Sequence, residues 1–230
     1  MKNIIIASCR DWHRESFYSI SPAENERWYY VASMDELFSR AEEIRPNYIF
    51  FLHWSWMVPK EIWENYECIV FHMTDVPFGR GGSPLQNLIV RGISETKVTA
   101  LQMLGGIDSG PVYEKRSMSL DGSAKEIYLR AGKLCWKMIR SILDRKLTPT
   151  EQVGDAVFFN RRKPEESLLP KNSTSQEIYD FIRMLDAPEY PLAFLEYGEY
   201  RLEFSDAELD MGTVRAKVQM RKIEARGSDE

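Results

Sequence analysis

Four short apolar runs with high strand propensity constrain the fold of this chain more than any other feature. Stretches of helical character separate these runs, which are Asn3–Ala7, Arg27–Ala32, Tyr48–Leu52 and Glu67–His72. A run that is apolar through its middle leaves no face of the strand for water, so both faces of the sheet must be covered. Right-handed crossovers through the intervening helices then make the strands parallel. The sequence therefore predicts a doubly wound α/β domain with a mainly parallel sheet.

The remainder of the chain contains further predicted elements. In order they are a helix near Leu85–Arg91, strands at Lys97–Leu104 and Pro111–Leu120, a long helix at Ser123–Lys146, a helix at Thr174–Leu185 and a β-hairpin at Leu192–Phe204. The segment Thr148–Pro170 carries three prolines and many charges, which indicates a connector. We expect residues 1–147 to form the main domain. Residues 148–206 then form a small connector, helix and hairpin extension, and residues 207–230 form a C-terminal tail whose charged last stretch, Val218–Glu230, frays.

Charge and cysteine usage exclude several classes of protein. With 30 Lys and Arg against 35 Asp and Glu, the net charge is −5, which argues against binding nucleic acid by cationic attraction. Cys9, Cys68 and Cys135 lie far apart and form no CxxC pair, so neither a disulfide framework nor a zinc site is predicted. The chain shows no signal peptide and no apolar run near the roughly 20 residues that span a bilayer. We expect a cytoplasmic protein with no metal, membrane or nucleic-acid partner.

Two loops carry the residues best suited to chemistry. His72 ends the fourth strand, and a loop with three glycines leads from it to Pro84, a residue suited to the first turn of a helix. Asp108 stands between Gly106 and Gly110 in a loop between two predicted strands. A histidine and an aspartate on neighbouring loops can orient each other and move a proton. Equally, Asp108 can be an ordinary turn residue and His72 an ordinary strand end.

The two loops resemble the signature loops of the 10-formyltetrahydrofolate-dependent formyltransferases. His72, Pro77, the Arg80-Gly81 pair, Pro84 and Gln86 match the family's first motif without a gap, and Ile107-Asp108-Ser109-Gly110 matches its Leu-Asp-Thr-Gly motif. The resemblance covers most of Asn3–Phe204 and implies a Rossmann-like formyltransferase domain. The residues of the first motif are most similar to those of the sugar N-formyltransferases. This group includes a branch with enzymes of pseudaminic-type pathways and the formylation domains of peptide synthetases.

The resemblance also implies catalytic roles. In the family, an asparagine and the histidine stabilise the oxyanion, while the aspartate orients the histidine and helps to remove the proton of the acceptor amine. His72 and Asp108 take two of these roles. Val70 stands where the family has its asparagine, and valine has no side-chain donor. Asn87 is the candidate replacement, with Thr74, Ser83 and backbone N–H groups as further candidates.

The formyl donor implied by the resemblance is 10-formyltetrahydrofolate, with no metal. The residues expected to contact it are Trp56, Met57, Val58, Leu104, Gly105, Gly106 and Ile107. The residues expected to bind the acceptor are Arg10, Phe78, Arg80, Gly81 and Gly82.

The expected acceptor is a nucleotide-linked amino sugar. From the length and the acidic net charge of the chain we expect neither the C-terminal barrel of the methionyl-tRNA enzymes nor a tRNA acceptor. Three alternatives stay open: a hydrolase that releases formate from the same folate, a non-catalytic folate or sugar binder, and an interaction protein with no folate site. The aromatic hairpin can pack on its own domain or on a second subunit, so a homodimer also stays open.

Overall fold

A computed structural model describes residues 1–223 and confirms the predicted fold class. The strands are β1 (Lys2–Ala7), β2 (Glu26–Val31), β3 (Tyr48–Phe51), β4 (Cys68–His72), β5 (Phe78–Gly81), β6 (Glu95–Gln102), β7 (Val112–Ser119), β8 (Val157–Phe159), β9 (Ala193–Tyr197), β10 (Tyr200–Asp210) and β11 (Thr213–Lys222). The helices are α1 (Asp11–Tyr18), α2 (Met34–Ile44), α3 (Lys60–Trp63), α4 (Pro84–Ile89), α5 (Ala124–Arg145) and α6 (Ser175–Arg183), with a 3₁₀ turn at Pro164–Ser167. Within residues 1–223, no helix is both long and apolar enough to cross a bilayer.

The described chain forms two compact units that interleave in sequence. The first contains residues 1–84, 95–118 and 129–159, and it holds a six-stranded sheet in the order β2-β1-β3-β4-β6-β7. The second contains residues 85–94, 119–128 and the described residues from 160 onward, and it holds an antiparallel sheet in the order β9-β10-β11. The predicted domain boundaries at residues 147 and 206 stay a proposal.

The core of the first unit explains why its strands are apolar on both sides. In β1, Ile4, Ile5 and Ile6 are all fully buried, so neither face of the strand meets water. One face packs with Leu37 and Ala41 of α2 in a single buried cluster. The helix begins where Ser33 accepts a hydrogen bond from the Glu36 N–H, a cap whose loss typically costs about 1 kcal/mol.

The direction of the strands decides where the loops emerge. Strands β1 to β4 are parallel, whereas β6 runs antiparallel to β4, with His72 opposite Thr99 and Ile69 opposite Gln102. The chain therefore leaves β6 beside the start of β4, where the Met103 N–H donates to the Cys68 carbonyl. The loop that follows must fold back over the sheet to reach the carboxyl end of β4.

Two expectations about the later segments are corrected. The predicted tail forms the end of β10 and then β11 over its described residues, because Val214, Val218 and Met220 alternate with polar residues as a strand requires. Residues 224–230 of that tail lie outside the described part of the chain. The connector Thr148–Pro170 contains β8, which pairs with the unpredicted strand β5 and buries Phe159.

A pair of histidines joins the segments that follow β1 and β3. The Nε2 atom of His13 lies 2.8 Å from Nδ1 of His53, and a Cβ added at Gly132 of α5 would lie 3.1 Å from the His13 ring. Burial, the neighbouring histidine and the charge of Arg10 lower the pKa of His13 to about 2. Burial and the charge of Arg10 lower the pKa of His53 to about 4. Both rings are therefore neutral in the folded protein at neutral pH.

The neutral histidine pair predicts a pH dependence of stability. Below the ordinary pKa of 6.5 the unfolded chain binds protons that the folded chain does not, so acid favours unfolding. As the pH falls from 6.5 toward 4, the free energy of unfolding should drop by about 1.4 kcal/mol per pH unit for each histidine. Urea unfolding at a series of pH values measures this slope. His13→Gln should flatten it relative to the native chain, and equal slopes would contradict the prediction.

Candidate functional site

The site is built around His72, whose ring is held by the backbone of the following loop. His72 is the last residue of β4, and only 7% of it is exposed. Its Nε2–H donates to the Gly79 carbonyl at 2.7 Å, and the hydroxyl of Thr74 donates to the same oxygen at 3.2 Å. Because a carbonyl only accepts, Nε2 carries a proton and Nδ1 is the ring atom left for chemistry.

Asp108 stands at that second ring nitrogen. Its Oδ2 lies 3.5 Å from Nδ1 of His72 and accepts a hydrogen bond from the Gly81 N–H at 2.9 Å. The Asp108 backbone has a φ of 48°, a left-handed conformation that Asp tolerates better than most residues. An imidazole and a carboxylate in this arrangement can exchange a proton and can stabilise a positive ring next to a developing negative charge. The structure therefore brings together the two residues that the sequence singled out.

Gln152 is a site residue that sequence reasoning missed. It lies in the predicted connector, and its side chain bonds to Arg80 as well as to the backbone carbonyls of Asp108 and Gly110. A lone glutamine between prolines and charges carries no pattern that would have marked it. Arg80, predicted to anchor the acceptor, directs its Nε and one terminal nitrogen to Gln152 at 3.1 and 2.8 Å.

Val70 lies on the same face of β4 as His72, since the two residues are two positions apart. Its side chain packs against the cluster that contains Ile5 and Phe51. An oxyanion donor at this position would point to the same side of the sheet as the histidine. Thr74, another candidate donor, is fully buried, and its hydroxyl bonds to the Gly79 carbonyl.

The residues predicted to contact the formyl donor occupy two loops that pack on that same cluster. Val58, in the loop after β3, and Met103, the residue that follows β6, both touch it. The ring of Trp63 lies 3.5 Å from where a Cβ on Gly105 would stand. The loops leave four large apolar side chains exposed, which are Trp56, Met57, Leu104 and Ile107. Gly106 lies in the same loop as Gly105, close to the hydroxyl of Ser109.

Three comparisons with known proteins bear on this site. Residues 164–221 match the family model described as the methionyl-tRNA formyltransferase C-terminal domain. The chain is 30% identical to a methionyl-tRNA formyltransferase of Campylobacter curvus over 72% of its own length and 56% of the relative. A solved structure of methionyl-tRNA formyltransferase from Clostridium thermocellum is 46% identical, with a TM-score of 0.93, and the match covers 96% of this chain and 100% of that one. The chain belongs to the formyltransferase family.

A more distant relative of the family shares the fold alone. The N-formyltransferase of Helicobacter canadensis, solved with folinic acid and dTDP-3-aminofucose, is 16% identical with a TM-score of 0.57 over 88% of this chain and 95% of that one. The chain spans a little over half the length of the Campylobacter curvus relative.

The other predicted site residues of this formyltransferase-family chain lie as follows. Asn87 is in the second unit, where its amide donates to the Asn160 carbonyl at 3.0 Å. Arg10 precedes α1, with its guanidinium 5.9 Å from the ring of Trp12. Phe78 is about one-third exposed and makes an edge contact with Phe159, and the Gly82 N–H donates to the Phe159 carbonyl. Their roles in binding or catalysis stay predictions.

Gly79, whose carbonyl holds the His72 ring, should be intolerant of any side chain because of its backbone conformation and its close neighbours. Its φ is 77°, and a Cβ there would lie 2.7 Å from both Thr74 Cγ2 and Phe159 Cε2. Gly79→Ala should lower the free energy of unfolding by about 2–4 kcal/mol through backbone strain and overpacking.

Gly92→Ala is the matched control for this change. Gly92 has a φ of 69° but nothing within 4 Å of the added Cβ. The loss of unfolding free energy in Gly92→Ala therefore comes from the backbone conformation alone and should be about 1 kcal/mol. Urea unfolding of both variants measures the difference. Equal losses would show that the space around Gly79 is not the constraint.

Proposed function

We propose that this chain is an N-formyltransferase that moves a formyl group from 10-formyltetrahydrofolate to a primary amine of a nucleotide-linked amino sugar. The single observation that carries the proposal is the His72–Asp108 pair, with Oδ2 3.5 Å from Nδ1 and the ring held through Nε2. Family membership adds the reaction class to this geometry.

The residues present fit a folate. Its flat pteridine ring needs apolar contact, and the exposed side chains of Trp56, Met57, Leu104 and Ile107 offer it from two loops that share one cluster. Large exposed apolar side chains on two loops that pack on the same cluster support a ligand surface here. The donor, when bound, supplies the formyl carbon that the acceptor amine attacks. The bond from this carbon to N10 of the folate then breaks, and the folate leaves as tetrahydrofolate with a proton on N10.

The chain's own groups handle the charge and the proton. With Nε2 engaged, Nδ1 of His72 faces Asp108, and a proton on that nitrogen can be donated to a developing oxyanion. The Asp108 carboxylate accepts the proton that the attacking amine loses, and this proton is then available to the departing N10 of the folate. The Gly81 N–H keeps that carboxylate in place.

A small acceptor is supported by the charges of β11. All four basic side chains of β11 pair with carboxylates: Arg215 with Asp210, Lys217 with Asp206, Arg221 with Glu203 and Lys222 with Glu199, at 2.8 to 3.2 Å. Cations neutralised in this way attract phosphates weakly, whereas tRNA binding depends on such contacts. The Helicobacter canadensis relative was solved with a dTDP-amino sugar, which supports an acceptor of this class.

Methionyl-tRNA is the second candidate acceptor, because the Campylobacter curvus and Clostridium thermocellum relatives carry that name. One assay distinguishes the two candidate acceptors. Purified protein with 10-formyltetrahydrofolate is offered a panel of nucleotide-linked amino sugars and, separately, methionyl-tRNA, and N-formyl products are detected by mass spectrometry. Product from a sugar supports the proposal, and product from the tRNA alone would replace the acceptor.

The same assay distinguishes formyl transfer from hydrolysis and from binding without turnover. Formate released with no acceptor present would favour a hydrolase. Calorimetric binding of the folate with no turnover on any amine would favour a non-catalytic binder.

The three cysteines are free thiols, so the proposed setting is the reducing cytoplasm.

Removing either member of the pair should nearly abolish transfer. His72→Asn and Asp108→Asn should each lower kcat by roughly a hundredfold or more, the scale of general acid–base catalysis. Asp155→Asn, which removes an exposed carboxylate of the connector, should leave kcat unchanged. Native rates in both site variants would rule out this mechanism.

Restoring the family's amide should strengthen catalysis. Val70→Asn places a donor on the His72 face of β4, and an oxyanion donor is commonly worth about 3 kcal/mol. We expect kcat to rise at least roughly tenfold, less than the full effect because packing is lost. Steady-state kinetics measure the change. A fall in kcat in a variant that melts like the native chain would show that another group already serves the oxyanion.

A further inference from the structure

Gln152 makes four side-chain hydrogen bonds within the candidate site. Its Oε1 accepts from Nε and a terminal nitrogen of Arg80 at 3.1 and 2.8 Å. Its Nε2 donates to the carbonyls of Asp108 and Gly110 at 2.9 and 2.8 Å. A side-chain amide has two donors and one acceptor oxygen with two lone pairs, so all of its capacity is used. The orientation of the amide is thereby fixed, since the reverse would place its NH₂ against the guanidinium.

These four bonds tie the Asp108 loop to β5. On one side they hold the backbone of the loop at Asp108 and Gly110, and on the other they hold Arg80, the residue next to Gly81. The Gly81 N–H then holds the Asp108 carboxylate directly. Both the backbone and the side chain of Asp108 are therefore held in place relative to β5.

The loop needs such a fastening because of the strand direction. The chain leaves β6 beside Cys68, at the start of β4, yet Asp108 must reach His72 at the end of that strand. No strand pairing holds residues 103–111 in the sheet, apart from contacts at their two ends. A displacement of about 1 Å at a reacting group can cost about a hundredfold in rate.

We infer that Gln152 is a positioning residue for formyl transfer, which keeps the Asp108 carboxylate against Nδ1 of His72. The inference rests on the proposed function, in which these two groups react. The amide of Gln152 uses its whole bonding capacity on Arg80 and the loop backbone, so it acts through Asp108 and not on the substrate.

Two variants dissect the amide, and a third is the matched control. Gln152→Glu keeps the length and the acceptor for Arg80 but removes both donors to the loop, whereas Gln152→Leu removes all four bonds. Gln102→Leu removes a comparable amide on β6, whose Nε2 donates to the Glu67 carboxylate at 3.0 and 3.2 Å. The Gln102 amide is thus engaged at the start of β4, away from the His72 end of that strand.

Kinetics and hydrogen exchange together test the inference. Both Gln152 variants should lower kcat by about 10- to 100-fold while the KM for the folate stays within about threefold, and Gln102→Leu should match the native rate. Exchange of the Gly81 amide, which donates to Asp108, should be about tenfold faster in both Gln152 variants. The Gly82 amide, which donates to Phe159, should keep its native rate. A purely structural role would accelerate both amides alike.

Each outcome decides the inference. Native kcat in the Gln152 variants overturns it, and so does an unchanged Gly81 amide, whatever happens to kcat. If the native chain transfers no formyl group to any acceptor, the proposed function fails, and Gly81 exchange alone then decides whether Gln152 holds Asp108 in place.

Discussion

The hydrogen bond from His72 Nε2–H to the Gly79 carbonyl sets the chemistry of the whole site. Because a carbonyl cannot donate, this bond fixes the tautomer of the ring and leaves Nδ1 as the atom that faces Asp108. The Gly79 carbonyl can take this place only because its residue has no Cβ. Every other group of the site is arranged with respect to a ring that cannot turn.

Asp108 needs more support from the rest of the structure than His72 does. Parallel strands bring their carboxyl ends to one edge of a sheet, but β6 is antiparallel, so its loop emerges at the opposite edge and folds back. The Gly81 N–H and Gln152 hold this returning loop. The site therefore depends on segments far apart in sequence, namely the end of β4, the Asp108 loop and the segment of Gln152. A change in any of them alters the distance between Asp108 and His72.

Several parts of the structure could be predicted, and others could not, for identifiable reasons. The four apolar runs predicted β1 to β4 because burial on both faces leaves a clear pattern. Strands β5 and β8 were missed because they are short and lie among glycines, prolines and charges. The last strand, β11, falls within the predicted tail because its charged residues conceal the alternation, and their pairing with acidic residues appears only in three dimensions. Gln152 was missed because nothing in its neighbourhood marks it.

By itself, the sequence determined the sheet class, the histidine at a strand end, the aspartate between glycines and the substitution of Val70 for an amide. These features depend on residue type and local pattern, which are legible along the chain. Only the tertiary structure decided which ring nitrogen of His72 is engaged, which backbone N–H holds Asp108 and which distant glutamine fastens its loop. Such contacts join residues as much as 44 positions apart in sequence, and hydrogen-bond geometry at that separation is set by strand direction and packing, which no local pattern encodes.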